Sequence, residues 1–553
     1  MGETVIFFCF ALLISSTCGR IAVTDTVFSE ISNDINDEVT KPGQQGETTT
    51  TTAPELLVIP HVNSNSTQPQ PKDAETVLPV IEEVLNNTKD ESSNFIDSGD
   101  DEAVLKDEAL ILTPLIEAGK LDEARQAAEV NPDLFFGVKS YSGFFTVNKT
   151  YDSNIFFWYI PVEKKLVNET PWLFWLQGGP GASSMIGMFD EIGPFKVNHQ
   201  MNLVHNPYTW LQNHSLVFIE NPVGTGFSFT NSENGYVTDM ETYTEHLYST
   251  LKQLLLVFPE LKTAPLFIAG ESYAGKYVPA LGYHIHKQNE NNFVNLKGFI
   301  LGNGYVDPGQ VVNITRSFHE FGMVVDEQVA VVQPLVDAFR EDIAANRSAA
   351  AKDKFNTLIA LLLFLSNQKQ AYNFLKDELS VGKYEPFLAR ADVKRALHVG
   401  GLEHEFINTT VNYKLGPDFL TSTRHMIEDL LNDYKLLIYC GQLDQMLPCS
   451  VSSEQLRQWS WNHSKEFQES TRSPFILNNR LVGYFKSGGH LTEVLVRGGG
   501  HMVTIDQPAT ARELVARWTH DQPLGAVEPA DAGLTTIREY VQEHAKTPAP
   551  AFL

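Results

Sequence analysis

Apolar positions along this chain gather into short continuous runs separated by longer amphipathic stretches. Residues 172–176 (Trp-Leu-Phe-Trp-Leu) are apolar throughout, and residues 216–220, 266–269, 436–439 and 493–496 repeat the pattern. A strand covered on both faces of a mostly parallel sheet reads this way, because neither of its sides meets water. Residues 144–147 and 154–161 read as an early hairpin. Residues 243–257 and 276–287 read as helices lying between strands. The alternation predicts an α/β fold with a mixed, mostly parallel central sheet flanked by helices. Between 307 and 380 it gives way to helical patterns, at 329–338 and 353–365. This stretch is expected to be a helical cap inserted over the sheet's C-terminal edge. No internal repeat is visible.

The ends of the chain differ from its middle. Residues 5–14 are apolar but too short to span a bilayer, and Ser15, Ser16 and Thr17 follow. Residues 1–19 therefore read as an export signal cleaved near Gly19, although Met1-Gly2-Glu3 carries no basic residue. Residues 20–104 hold a Thr tract at 48–52, scattered Pro, many acids and few aromatics. Such a segment cannot bury enough apolar surface to offset its ordering entropy, so it reads as a disordered acidic extension or pro-segment. Residues 105–546 read as one large domain opening on a short helix at 118–130, and 547–553 as a tail. Residues 359–365 are apolar, but their length fits a core helix, so no membrane partner is expected once the signal is removed.

Composition narrows the partners. In 553 residues, 41 Lys and Arg stand against 68 Asp and Glu, a formal net charge of -27, which argues against nucleic acid. The acidic balance reads as a solvated surface. Of four cysteines, Cys9 and Cys18 lie in the expected signal. Cys440 and Cys449 remain, able to form one disulfide in an oxidising compartment or to stay as buried thiols. Asn-x-Ser/Thr sequons occur at Asn65, Asn86, Asn148, Asn168, Asn213, Asn313, Asn346, Asn408 and Asn462. With an export signal, they favour a glycoprotein of the secretory route, secreted or lysosomal.

The chemistry centres on residues 267–275, Phe-Ile-Ala-Gly-Glu-Ser-Tyr-Ala-Gly. An apolar strand runs into a Gly, a Ser and two small residues, then into a helix that Pro279 should kink or shorten. That is the context of a nucleophile elbow, with Ser272 as nucleophile and Ala274 where Gly is usual. The plain alternative is a strand-to-helix turn that merely contains Ser. Two later loops weigh against it. The strand at 436–439 leads to Asp444, and the strand before Gly498-Gly499-Gly500 leads to His501. Ser, Asp, His is the chain order of the α/β-hydrolase fold. In it His501 takes the Ser272 proton, while Asp444 fixes the imidazole tautomer and stabilises its cation. Residues 177–184, Gln-Gly-Gly-Pro-Gly-Ala-Ser-Ser, follow another buried strand. They make the N–H groups of Gly179 and Tyr273 candidates for an oxyanion hole.

Four separated motifs resemble the serine carboxypeptidases: residues 177–184, 221–228 (Asn-Pro-Val-Gly-Thr-Gly-Phe-Ser), 270–279 and 498–501. Gln177, Lys276, Met185 and Arg497 look most like the vitellogenic-carboxypeptidase-like branch. The resemblance covers about 112–518. It implies removal of single residues from peptide C-termini, so peptides and proteins are the expected partners. No cofactor or metal is implied, and a homodimer is suggested. By resemblance Ser272, Asp444 and His501 fall on the triad, and Gly179 and Tyr273 on the oxyanion hole. Trp175, Gln177, Glu191 and Glu271 fall on the site for the substrate's terminal carboxylate. Gln177 stands where Asn is commoner, and Ala182 replaces a usual Cys, so the family's disulfide pattern does not carry over.

Two acids can bind an anion only when they hold protons, because a protonated acid donates a hydrogen bond and an ionised one repels. Glu191 and Glu271 are therefore expected to favour peptide binding at acidic pH. Two alternatives use the same residues differently. Related proteins perform acyl transfer or ester hydrolysis with such a triad, and a non-catalytic binding or protective partner could keep the fold alone.

Overall fold

The structure, a computed structural model, describes residues 108–288, 293–525 and 541–542. The expected signal, the 20–104 extension, the 547–553 tail, Cys9, Cys18, Asn65 and Asn86 lie outside the described residues.

Thirteen strands are described: β1 (Tyr141–Asn148), β2 (Ser153–Ile160), β3 (Trp172–Leu176), β4 (Phe195–Val197), β5 (Leu203–His205), β6 (Ser215–Ile219), β7 (Phe229–Thr230), β8 (Leu266–Glu271), β9 (Leu296–Gly302), β10 (Lys435–Gly441), β11 (Ser473–Leu477), β12 (Arg480–Gly488) and β13 (Leu491–Val496). The main sheet runs β1-β2-β6-β3-β8-β9-β10-β13-β12-β11, with β7 beside β2, and β4 and β5 pair separately. The six strands from β6 to β13 are parallel. Both flanks are antiparallel. Along β3, Trp172, Phe174 and Leu176 enter one apolar core while Leu173 and Trp175 enter the other. The pleat sends alternate side chains to opposite faces, and both faces are covered. This is why the run in the sequence is unbroken.

Parallel strands aim their C-terminal ends at one edge. The loops after β3, β8, β10 and β13 leave from it, and they carry residues 177–184, Ser272, Asp444 and His501. Helix α1 (Met240–Val257) starts where the Asp239 carboxylate accepts the Thr242 N–H at 2.8 Å, a side-chain N-cap. Helix α2 (Ala274–Gln288) follows the β8 turn and is not shortened at Pro279, contrary to expectation. Proline removes the N–H that would reach back to Gly275. The Gly275 carbonyl instead accepts the Thr423 hydroxyl at 3.0 Å, so the break in the ladder is repaired from outside the helix.

Between β9 and β10 lie α3 (Ile314–Glu320), α4 (Asp326–Ala344) and α5 (Ser348–Leu365), within the stretch read as an insertion. The helix read at 118–130 is shorter, Leu121–Ala127, and another short helix, Thr113–Glu117, precedes it. They are divided at Gly119, whose φ of +74° ends the first. The strand β9 escaped the reading of apolar runs because it opens on Leu296-Lys297-Gly298. Among the described sequons, Asn168, Asn346 and Asn462 are exposed. Asn408 is buried, and its Oδ1 accepts the Val411 N–H at 2.9 Å as a helix cap.

Candidate active site

Strand β8 ends at Glu271 and the chain turns at Ser272, whose φ is +58°. A non-glycine residue there is uncommon and must be held by its surroundings. The Ser272 N–H donates to the Gly302 carbonyl at 3.0 Å, and its carbonyl accepts the Gly275 and Tyr305 N–H groups at 2.9 and 2.8 Å. The turn leaves no room at its base. A Cβ on Gly270 would lie 2.4 Å from the Leu176 carbonyl oxygen and 2.6 Å from the Ala274 Cβ. Ala274 is therefore tolerated because Gly270 has no side chain.

Asp444 and His501 reach the same place from β10 and β13. The His501 Nδ1 stands 2.7 Å from the Asp444 Oδ2, both groups being buried. Asp444 Oδ1 accepts the Met446 and Leu447 N–H groups at 2.7 and 3.1 Å, so the carboxylate is fixed from both sides. The His501 N–H donates to the Tyr372 carbonyl at 2.6 Å, and the Tyr372 ring packs edge-on against the imidazole, 5.0 Å between centroids. Asn303 ties the loops together. Its amide donates to the Gly500 and His501 carbonyls at 3.1 and 2.5 Å, and its carbonyl accepts the Gly441 N–H at 3.1 Å. With φ at +41°, Asn303 occupies the left-handed region that asparagine enters more readily than most residues.

Ser272, Tyr273, Gly179 and His501 line one cavity. The loop after β3 presses against the Ser272 turn: a Cβ on Gly178 would meet the Tyr273 nitrogen at 2.5 Å. Among the described residues the N–H groups of Gly179 and Tyr273 have no hydrogen-bond partner. The far wall comes from α5, through Lys352, Phe355, Asn356, Ile359 and Leu363.

The acid cluster is a separate, buried group beside this cavity. Gln177 is its hub. Its Nε2 donates to Glu271 Oε1 at 2.8 Å and Glu191 Oε1 at 3.2 Å, while its Oε1 accepts the Trp175 Nε1–H at 3.0 Å. Thr504 donates to Glu191 Oε2 at 2.5 Å. Glu271 Oε2 is buried without a partner. Burial pushes the Glu191 carboxyl above the usual carboxylate range. Burial and then the neighbouring Glu191 push Glu271 well above it. None of Trp175, Gln177, Glu191 and Glu271 lines the cavity that Ser272 and His501 share. Glu271 nonetheless directly precedes Ser272 in the chain.

A family model described as serine carboxypeptidase matches residues 131–521. The chain belongs to the serine carboxypeptidase family. The vitellogenic carboxypeptidase of Aedes aegypti is 38% identical over 427 residues, covering 75% of this chain and 90% of that one. The venom serine carboxypeptidase of Apis mellifera is 37% identical, covering 75% and 91%. Among solved structures, Kex1(delta)P, a prohormone-processing carboxypeptidase from Saccharomyces cerevisiae, aligns with a TM-score of 0.63. At 21% identity over 72% of this chain and 96% of that chain, it shares the fold.

Several residues of this serine carboxypeptidase site carry no motif of their own. Asn303, Tyr372 and Thr504 are single polar residues whose partners lie far away in sequence. A further buried cluster braces the loop after β3. Ser183 donates to Glu220 Oε1 at 2.7 Å and sits 2.9 Å from the His404 Nε2, while the His404 Nδ1 meets Glu385. Burial works against the charged form of His404. The hydrogen bonds and charges of Glu220 and Glu385 outweigh it and hold its pKa at about 9. Although Ser183, His404 and Glu385 mimic a triad, Ser183 is fully buried, so the cluster is a brace rather than a reaction centre. Cys440, at the end of β10, and Cys449 are joined by a disulfide that brackets Asp444 in sequence.

Proposed function

We propose that this serine carboxypeptidase removes single C-terminal residues from peptides and proteins through an acyl-enzyme on Ser272. The observation that carries the reading is the buried Asp444–His501 hydrogen bond of 2.7 Å beside a serine in a nucleophile turn. His501 takes the hydroxyl proton as Ser272 Oγ attacks the scissile carbonyl, then passes it to the leaving amine. Water repeats the two steps and frees the acyl group. Asp444 keeps the imidazole in the tautomer that accepts at Nε2. The developing oxyanion is met by the Gly179 and Tyr273 N–H groups, which have no competing partner.

The substrate's terminal carboxylate is bound by the Gln177, Glu191 and Glu271 cluster, with Trp175 orienting Gln177. Raised carboxyls stay protonated into mildly acidic solution, where they can donate to an anion. As they ionise, the same atoms repel it. Binding is therefore strongest at acidic pH. The chain follows the secretory route as a glycoprotein, a reading supported by the apolar residues 5–14, the Cys440–Cys449 disulfide and the exposed sequons Asn168, Asn346 and Asn462. The helices between β9 and β10 act as its cap.

The test uses blocked dipeptides with a free or amidated C-terminus, assayed on the wild type and Ser272→Ala. The expected result is release of the last residue from the free acids only, abolished in the variant. Equal cleavage of acid and amide, or activity that survives the substitution, would overturn the reading.

A further inference from the structure

The cavity beside Ser272 is walled mainly by apolar side chains, among them Tyr305, Val311, Phe355, Ile359 and Phe419. Its lining includes no carboxylate, and Lys352 is its one ammonium. Lys352 enters from α5 and is buried, 6% exposed. Its Nζ donates to the Asn412 backbone oxygen and, at 2.7 Å, to the Asn412 Oδ1. Those two bonds use two of an ammonium's three donors. The charges of Asp353 and Asp418 act on it and favour the ammonium, and burial outweighs them. Asn412 in turn donates from Nδ2 to the Pro180 carbonyl at 3.2 Å. The cation is thus one side chain away from the loop that carries the Gly179 N–H.

A buried ammonium whose neighbouring carboxylates do not make up for its burial is costly, and an incoming anion relieves that cost, whereas an incoming cation adds to it. Burial lowers the Lys352 pKa to about 8, so in mildly acidic solution the group carries its charge. Because the acid cluster lies outside this cavity, the cavity receives the residue on the acyl side of the scissile bond.

We propose that Lys352 is a specificity-determining residue that makes this cavity select peptides whose penultimate residue is acidic, over the neutral isostere and against basic residues. The proposal rests on Ser272 being the nucleophile and on the acid cluster holding the terminal carboxylate, but the phosphonate arm of its test does not need that carboxylate to be bound. A Lys side chain held only to support Asn412 and Pro180 would affect every substrate alike. A selecting one affects them by charge.

The experiment measures labelling rates of the full-length protein at mildly acidic pH by blocked aminophosphonate diphenyl esters bearing Glu-like, Gln-like, Lys-like or Leu-like side chains. Blocked dipeptides with the same four penultimate residues are assayed in parallel. Wild type is expected to favour Glu over Lys by about tenfold or more, the scale of one partly buried charge contact. In Lys352→Met, which keeps the aliphatic stem, the Glu to Gln ratio is expected to fall to about one while the Leu to Gln ratio stays where it was. Lys352→Gln is the second variant, should Met disturb folding, and is expected to behave likewise. Equal labelling by all four phosphonates in wild type, or a Glu to Gln ratio unchanged in both variants, overturns the proposal alone. No labelling of Ser272 by any of them overturns it together with the nucleophile assignment.

Discussion

Gly441 and Gly500 approach so closely that a Cβ on Gly441 would lie 2.0 Å from the Gly500 carbonyl oxygen. Gly441 ends the strand that leads to Asp444, and Gly500 immediately precedes His501. The contact is backbone against backbone, so no side chain can move aside. Gly441→Ala is expected to push the two loops apart and cost about 1–3 kcal/mol, the range for overpacking a filled site. The melting temperature should fall by a few degrees and kcat by more than tenfold. A variant with wild-type kcat would show that the loops can slide without losing the Asp444–His501 bond.

Asn303→Asp keeps the shape of the side chain but replaces its amide donor with an oxygen facing two carbonyls. One acceptor for the Gly441 N–H survives, while the bonds to Gly500 and His501 become repulsions. The expected outcome is a loss of kcat larger than any change in KM, because the loop carrying His501 is loosened and the carboxylate cluster is not. Steady-state kinetics on one blocked dipeptide decides it. An effect confined to KM would contradict the assignment.

Asp444→Asn leaves a neutral amide beside the His501 Nδ1. It favours the wrong imidazole tautomer and withdraws the charge that stabilises the cation. A fall in kcat of about 10³–10⁴ is expected, by the measured behaviour of such substitutions elsewhere. The phosphonate labelling rate should fall with it.

The acid pair predicts a pH dependence whose sign follows from the proton balance. Glu271 holds its proton in the folded chain at pH values where the unfolded chain has released it. Stability therefore falls as pH rises from the ordinary carboxyl range towards the raised folded value. Glu271→Gln removes that titration and can still accept from Gln177. Its melting temperature is expected to decline less between about pH 4 and neutrality than that of wild type. Its KM for a free-acid dipeptide should also rise less over the same interval. Calorimetry and a KM profile check the two halves separately, and parallel curves for the two proteins would count against both.

Thr504→Val deletes the hydroxyl that donates to Glu191. That bond favours the ionised carboxylate, so its loss raises the Glu191 carboxyl further. The pH at which KM begins to rise is expected to move upward. A downward move would mean that the hydroxyl accepts from a protonated Glu191 instead.

Much of this molecule is legible from sequence because its central strands are covered on both sides. Trp172–Leu176 and the runs that lead to Ser272, Asp444 and His501 are unbroken apolar stretches for that reason. Each ends in a small-residue turn that the chemistry requires. Reading failed where a partner distant in the chain decides the outcome. Pro279 breaks a hydrogen bond locally, yet Thr423 repairs it. Asn303 and Thr504 have no pattern at all, since single polar residues become legible only when their contacts are seen. The carboxylate cluster was reached through resemblance, and only the structure adds that Gln177 bridges both acids and that Glu271 keeps one oxygen unpartnered.

Helices α3, α4 and α5 enter the chain between two adjacent parallel strands and supply none of Ser272, Asp444 or His501. One of them, α5, nonetheless builds one side of the cavity that Ser272 and His501 line. Reactivity and taste are therefore written in different paragraphs of the gene. Substitution on the cavity face of α5 can reshape that wall without touching the backbone that holds Ser272, Asp444 and His501.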